Sequence, residues 1–370
     1  MIRHHLHLFL AVAWTLLPAA ASAHLDPLWV IPLYERAAME TGPREFGQPA
    51  FVRDGQIIIV GDRMGGLHAF DVPARTKIWE RNLGEGVVAP PVALDNDHVV
   101  IADVAGRLRL IKIDTGEDAW SAPVQNPASF HSPPLIFGDT INILDSNDRL
   151  LSTTQKGIFR FEVGARTPQE FSLFKESTPA TDGKRLFVGL SSGDVKAFDL
   201  NSGEQLWRTE VTTRSGHLND VQAGPVVREN WVYVGSPRAG LVSLNAVTGD
   251  INQRVLLNGL TELVSSATGE LYGLTWTGRV ARIELDKQGL ASIVWSTDAP
   301  GVPRTPALTN ESIFYCNGLG LVSISRRTGR IKDYRTFSGG CVGGVATAPG
   351  LVAHMLNDGS LILWRVQKAD

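Results

Sequence analysis

The chain has 370 residues, of which 43% are hydrophobic and 20% charged, and its formal net charge is -3. This is the composition of an ordinary globular protein, and the near-neutral charge gives no general attraction to nucleic acid or to an anionic membrane surface. The length alone would suggest two or three domains, but a radially repeated fold can hold this many residues in one.

Residues 1–23 have the pattern of a secretory signal peptide. Arg3 precedes an apolar run from Leu8 to Leu17, and Ala21-Ser22-Ala23 forms a cleavage site of small residues. The apolar run is shorter than the ~20 residues that a membrane-spanning helix needs. No cysteine follows the cleavage site directly, so we expect no lipid anchor. We therefore expect export to the periplasm and a mature chain of residues 24–370.

A turn signal recurs eight times along the chain, at intervals of roughly 40 residues, which is a period typical of propeller blades. The signal reads Gly-x-Leu or Gly-x-Val in most repeats and leads into an apolar strand. The turn positions are Gly65, Gly106, Asp148, Gly193, Gly240, Gly278, Gly320 and Gly359. Each repeat is expected to form one blade.

The first repeat shows how a blade is built. Apolar segments are separated by Asp54-Gly55 and Gly65-Gly66, both of which are hairpin turn signals, and Trp79 belongs to a fourth segment. We predict an all-β, eight-bladed β-propeller of four-stranded antiparallel blades in a single domain. The blades are predicted to begin near residues 49, 89, 131, 177, 223, 259, 304 and 343.

The last repeat contains only three predicted strands before the chain ends. The segment Leu28–Leu33, just after the signal peptide, has the apolar character of the missing outer strand. We predict that residues 24–37 pair with the last blade and close the ring, because closure removes two open sheet edges.

Tryptophans recur at the outer end of several repeats. A large aromatic side chain there can cover the gap between adjacent sheets, so we interpret these residues as packing residues and not as ligand stackers. They are Trp79, Trp120, Trp207 and Trp295.

Cys316 and Cys341 are the only cysteines. Both are expected on the same rim of the propeller, so a disulfide is one interpretation in an oxidising compartment, and two separate buried thiols are the other.

The segment Asp145-Ser146-Asn147-Asp148 lacks the spacing of a calcium-binding loop, so we interpret it as a turn between strands. His131, His217 and His354 are isolated in the sequence. We predict no enzyme activity, metal or cofactor.

Two connections between repeats carry unusual residues. The connection 167–178 contains three large apolar residues within four positions, which suits either a partner surface or a local core beneath the connection. The connection 212–222 mixes polar and apolar residues, which suits either an interface rim or a solvated loop. We call these two segments the docking connections.

The repeats resemble those of the pyrroloquinoline-quinone-type propellers, and within that group the BamB family, whose members are periplasmic accessory subunits of the outer-membrane β-barrel assembly machine. The local similarity lies in residues 172–181 and 218–221. The resemblance implies that the docking connections contact a BamA-like barrel-forming subunit, in a monomer within a complex that also meets nascent barrel proteins. The residues it points to are Phe171, Leu173, Phe174, Lys175, Arg214, Leu218 and Asp220.

The chain also departs from the family pattern. The family's basic position in the first connection is Phe174 here, with Lys175 adjacent, and its second acidic position is Gln222. Family members of the best-known type are lipoproteins, so protein contacts alone would hold this chain at the membrane.

Two other classes of function are considered. Quinone-dependent dehydrogenases with this propeller are much longer and carry an adjacent cysteine pair, which this chain lacks. A periplasmic module that binds a polysaccharide is the other alternative, since Phe130, Trp231 and Trp276 could stack on sugars or pack in the core.

Overall fold

The computed structural model describes residues 25–33, 46–164, 176–212 and 219–367. In these ranges, 32 β-strands form eight four-stranded antiparallel sheets, and the helical content is one 3-10 turn at Arg53–Gly55. The predicted eight-bladed, all-β propeller is confirmed. No helix in the described ranges is both long enough and apolar enough to span a bilayer.

Each blade is a meander that runs from the innermost strand to the outermost, and the first strand of the chain belongs to the last blade. The strands of the first four blades are β2 Pro49–Val52, β3 Ile57–Gly61, β4 Gly66–Asp71, β5 Thr76–Asn82; β6 Val92–Ala93, β7 His98–Ala102, β8 Arg107–Lys112, β9 Val124–Gln125; β10 Leu135–Phe137, β11 Thr140–Leu144, β12 Leu150–Thr154, β13 Phe159–Val163; β14 Ala180–Thr181, β15 Arg185–Gly189, β16 Asp194–Asp199, β17 Gln205–Glu210. The strands of the other four blades are β18 Ala223–Arg228, β19 Trp231–Ser236, β20 Gly240–Asn245, β21 Ile251–Val255; β22 Leu260–Ser265, β23 Leu271–Thr275, β24 Arg279–Leu285, β25 Ala291–Asp298; β26 Arg304–Leu308, β27 Ser312–Cys316, β28 Gly320–Ser325, β29 Ile331–Thr336; β30 Val345–Ala348, β31 Leu351–Met355, β32 Ser360–Val366 with β1 Leu25–Pro32.

The ring is closed by the N-terminal strand, as predicted. β1 pairs antiparallel with β32, from Leu25 opposite Val366 to Pro32 opposite Ser360. The side chains of Leu25 and Ile31 are buried, at 3% and 7% exposure. The last blade therefore takes its outer strand from the opposite end of the chain.

The hydrophobic core is a ring of clusters that lie between neighbouring blades. One cluster joins Ile59 and Leu67 of the first blade to Val99 and Ile101 of the second. The two middle strands of a blade are almost fully buried because a neighbouring blade covers each of their faces, and this explains their near-continuous apolar sequences.

The four tryptophans pack between blades, as predicted, and each donates its indole N–H to a backbone carbonyl of the next blade. The Nε1···O distances are 2.6 Å from Trp79 to Ile113, 2.9 Å from Trp120 to Gln155, 3.1 Å from Trp207 to Ala246 and 3.1 Å from Trp295 to Arg326. One detail of the prediction is wrong. Trp120 precedes the short outer strand β9 of its blade, because the chain between β8 and β9 leaves the ladder after a single bridge, Ile111 to Asp118.

The meander separates two kinds of turn. The turns between the second and third strands lie on the same face as the segments that join one blade to the next, and we call this the connection face. The recurring turn glycines lie here, and all except Gly320 have a positive φ, as at Gly65 (+89°) and Gly193 (+90°), a region that favours glycine. The turns between third and fourth strands lie on the opposite face.

Candidate functional site

Most of the predicted contact residues lie outside the described residues. These are Phe171, Leu173, Phe174, Lys175, Arg214 and Leu218, together with His217. Asp220 is described, as are the later end of the first docking connection and both ends of the second. The first joins β13 of the third blade to β14 of the fourth, and the second joins β17 of the fourth to β18 of the fifth. The described ends of both connections therefore lie on the connection face.

The two ends of the second docking connection are held together. The Thr212 hydroxyl donates to the Asn219 carbonyl at 3.1 Å, and the Thr212 amide donates to the Gly193 carbonyl at 3.3 Å. The Val221 amide donates to the Leu190 carbonyl at 3.0 Å. Both ends are thus fastened to the same turn of the fourth blade.

The described end of the first docking connection is fastened to two blades. The Ser177 hydroxyl donates to the Gly189 carbonyl at 2.8 Å and accepts the Gly189 amide at 3.0 Å. His131 Nδ1 lies 2.9 Å from Glu176 Oε1, and the Ser132 hydroxyl donates to the Glu176 carbonyl. The hydrogen bond to Glu176 raises the pKa of His131.

A turn of the third blade also contacts the fourth. The Asp148 carboxylate accepts the amide of Ser191 at 3.1 Å and also accepts its hydroxyl. Burial, with a contribution from the nearby carboxylates of Glu176 and Asp220, raises the pKa of Asp148 to about 6, although the hydrogen bonds from Ser191 oppose this shift. Asp220 itself is buried, at 5% exposure, and accepts a hydrogen bond from Gln222 Nε2 at 3.1 Å. Negative charge is therefore concentrated where the third, fourth and fifth blades meet.

A cavity of about 440 Å³ opens at the mouth of the central channel on this face. Residues near the start of the innermost strands of most blades line it, including Phe46, Val302 and His131. Gln222 and Glu262 also line a smaller adjoining cavity of about 130 Å³, which Glu176 reaches from the fourth blade. The smaller cavity beside Glu176 therefore adjoins the mouth of the central channel.

Exposed apolar side chains are scattered over the connection face. Leu256 is the most exposed, at 86%. The described members of this set are Phe46, Met64, Leu256, Trp276, Val302 and Leu319. Apart from Trp276, these residues have no signal in the sequence, because single apolar residues in turns have no periodicity.

The two cysteines form a disulfide in the structure, with a Cα to Cα distance of 5.3 Å, inside the range that a disulfide requires. His354 Nδ1 lies 3.1 Å from Cys341 Sγ, and complete burial lowers the pKa of His354 to about 4. Within the described ranges these three residues are the one group close enough to hold a metal ion. As a disulfide, however, the sulfurs are not thiolate ligands.

The candidate sugar-stacking residues do not form one site. Phe130 is fully buried, so its core interpretation is correct. Trp231 donates to the Lys287 carbonyl at 3.3 Å, whereas Trp276 is 36% exposed in a turn of the connection face.

The segment 145–148, which lacks the spacing of a calcium loop, forms a turn. Asp145 Oδ1 accepts hydrogen bonds from the backbone amides of residues 147 and 149, at 2.8 and 2.9 Å, which confirms the predicted turn.

Comparisons with known proteins agree with this architecture. The BamB from Moraxella catarrhalis has a similar fold, with a TM-score of 0.73 at 19% sequence identity, and the match covers 92% of this chain and 100% of that one. An outer membrane protein assembly factor BamB from Yersinia pestis is 30% identical over 248 residues, which is 63% of this chain and 62% of the relative. The match thus spans slightly less than two thirds of that relative.

A second relative of the same description, from Moranella endobia, is 23% identical over 272 residues, or 69% of each chain. The family model described as outer membrane protein assembly factor BamB matches residues 63–297, which is more than half of the chain. The match includes six of the eight recurring turn positions, as well as both docking connections. The chain belongs to the BamB family of outer membrane protein assembly factors.

Proposed function

We propose that this protein is a non-catalytic periplasmic scaffold that assists the assembly of outer-membrane β-barrel proteins by docking to a BamA-like subunit. The observation that carries the proposal is family membership over residues 63–297. The signal-peptide pattern of residues 1–23 supports export, and protein contacts would hold the protein at the outer membrane.

The proposed docking site consists of the two docking connections. Their fastened ends lie side by side on the connection face, at the Ser177–Gly189 and Thr212–Asn219 hydrogen bonds. Phe171 and Leu173 supply the apolar anchor, and a few such residues commonly dominate the binding energy of an interface. Arg214 adds polar complementarity.

Asp220 contributes to docking from below the surface. Its carboxylate is nearly inaccessible to solvent and is held by Gln222, so it acts through its charge and by fixing the end of the second connection. Nearby buried charge attracts a basic partner more strongly than a fully solvated carboxylate does, because water screens it less.

The role in barrel assembly is tested by deleting the gene. We expect lower levels of folded outer-membrane β-barrel proteins, measured by their heat-modifiable migration in gels. Expression of the wild-type chain should restore these levels, and the Leu173→Ala plus Asp220→Ala variant should restore them less. Normal barrel levels in the deletion strain, at several growth temperatures, would contradict the proposed role.

A further inference from the structure

We propose that the mouth of the central channel is a socket for a basic side chain with apolar neighbours, carried by a partner polypeptide, and that Glu176 is the ion-pair partner of that side chain. Among the described residues that line the socket, none is one of the seven predicted contact residues. It relies on the proposed function only in taking the ligand to be part of a polypeptide.

The walls of the socket are largely apolar. Phe46, Val88, Val302 and Val342 line the cavity of about 440 Å³, and Phe46 and Val302 are 41% and 39% exposed at its edge. A concave, mostly apolar site of ~300 to 1,000 Å³ with a few polar groups is typical of binding sites. Apolar residues that flank a basic side chain would cover these exposed surfaces.

Glu176, which lines the smaller adjoining cavity of about 130 Å³, supplies the polar anchor. Its side chain is 9% exposed, and Oε1 lies 2.9 Å from His131 Nδ1. Oε2 is buried and has no hydrogen-bond partner among the described atoms. A buried carboxylate oxygen without a donor is costly, and an ammonium or guanidinium group would supply a strong charge-assisted hydrogen bond.

The surroundings of Glu176 favour a cation over an anion. Asp148 and Asp220 lie close enough to interact with each other electrostatically, and Glu262 lines both cavities. The positive groups on the described wall are Arg304, which is exposed at the far side of the mouth, and His131. Glu176 and Glu262 line the two cavities, and Asp148 and Asp220 add negative charge near Glu176. A cleft with an excess of one charge attracts the opposite charge.

A metal ion suits this site less well than an organic cation. In the described ranges, the one group of three potential ligands within metal-binding distance is at Cys316, Cys341 and His354. Glu176 is not part of such a group, and calcium requires ~6 to 8 oxygen ligands. A basic side chain needs only one or two acceptors and fits the apolar walls with its aliphatic stem.

The test uses the full mature chain and two peptides that differ in one charge, acetyl-Val-Lys-Val-Phe-amide and its analogue with norleucine in place of lysine. Isothermal titration calorimetry at pH 7.5 should show that the lysine peptide binds at least about tenfold more tightly, or about 1.4 kcal/mol. Glu176→Gln should remove this preference. Glu204→Gln, which changes an exposed carboxylate on the opposite face, should keep it.

Equal affinity for the two peptides, or a preference for the lysine peptide that survives in Glu176→Gln, would overturn the proposal.

A second variant, His131→Gln, covers the case in which Glu176→Gln does not fold. Protonated His131 competes with the ligand for Glu176, and this competition weakens as the pH rises. Asp148 also becomes negatively charged near pH 6. The preference for the lysine peptide over the norleucine peptide should therefore grow between pH 6 and pH 8. His131→Gln should bind the lysine peptide more tightly at pH 6 and lose much of this pH dependence. Affinity at pH 6 unchanged by His131→Gln would also count against the socket.

Discussion

The indole ring of Trp79 lies directly against Gly116 of the next blade, so that a Cβ atom on Gly116 would come within 2.7 Å of the ring. Gly116 belongs to Thr115-Gly116-Glu117-Asp118-Ala119-Trp120, and Trp120 in turn packs against Gly157 of the third blade. The segment Thr115–Trp120 therefore has two roles. Its glycine receives the tryptophan of the preceding blade, and its tryptophan packs against the following one.

Gly116→Ala should destabilise the protein by about 3 kcal/mol, because a left-handed backbone penalty of ~1 to 2 kcal/mol adds to overpacking against Trp79. Gly350→Ala is the matched control. Gly350 has φ +72°, close to the +74° of Gly116, but a Cβ there meets nothing within 4 Å. Urea titrations should show that Gly350→Ala lowers the free energy of unfolding by about 1 to 2 kcal/mol, which is less than the decrease for Gly116→Ala. Equal losses would mean that the tryptophan contact contributes little.

Ile31→Ala should destabilise the protein by about 2 to 3 kcal/mol, because Ile31 is buried between the closing strand and the first blade. The neighbouring Val30 is 54% exposed, so Val30→Ala should change the free energy of unfolding by less than about 0.5 kcal/mol. Removal of residues 25–32 should lower the melting temperature far more than either substitution. A deletion variant with wild-type thermal stability would show that β1 does not close the ring in solution.

Reduction of the Cys316–Cys341 disulfide should lower stability by about 3 kcal/mol, the value expected for a loop of this length. Denaturant titrations with and without a dithiol reductant measure the difference, and alkylation followed by mass spectrometry counts the free thiols. The Cys316→Ala plus Cys341→Ala variant should not respond to the reductant. Two alkylated thiols in the untreated, denatured periplasmic protein would contradict the bridge.

Asp148→Asn should stabilise the protein at pH 7.5 by about 1 to 2 kcal/mol, and this gain should shrink towards pH 4. The pKa of Asp148 is raised to about 6 in the folded protein, against ~3.9 unfolded, so the folded state holds more protons between these values. The contribution of Asp148 to stability therefore falls as the pH rises through this window.

The control for this pH dependence is Asp139→Asn, which removes an exposed carboxylate from the same blade. It should shift stability by less than about 0.5 kcal/mol at either pH. Asparagine is also more favourable than aspartate at the positive φ of position 148, so the change in the gain with pH is the decisive quantity. A gain that is constant from pH 4 to 7.5 would show that Asp148 has no raised pKa.

The blade count and the closing strand could be predicted because they depend on repeated local signals. A turn glycine such as Gly106 has a positive φ, and most blades need the same turn, so the sequence repeats the glycine. The short outer strand β9 could not be predicted, because the departure from the ladder near Asp118 has no distinctive sequence signal.

The candidate site was less predictable than the fold. His131 was interpreted as isolated, yet it lies 2.9 Å from Glu176, and the two residues come from different blades. Such a contact depends on how the third blade packs against the fourth, which no local pattern encodes. The roles of Phe171, Leu173 and Arg214 came from family resemblance and remain predictions, since these residues lie outside the described ranges.

The central claim is that the docking connections hold a barrel-assembly subunit. Affinity purification of the tagged protein from gently solubilised envelopes tests it, with the Leu173→Ala plus Asp220→Ala variant alongside. Leu206→Ala plus Glu204→Gln is the matched control, because both of these residues are exposed on the fourth blade, away from the connection face. All variants must first show wild-type circular dichroism and melting behaviour.

We predict that the wild type and the control recover the BamA-like subunit and that the Leu173→Ala plus Asp220→Ala variant does not. Recovery of equal amounts with all three proteins would contradict the proposed docking site. Absence of the subunit from all three samples would contradict the docking function itself.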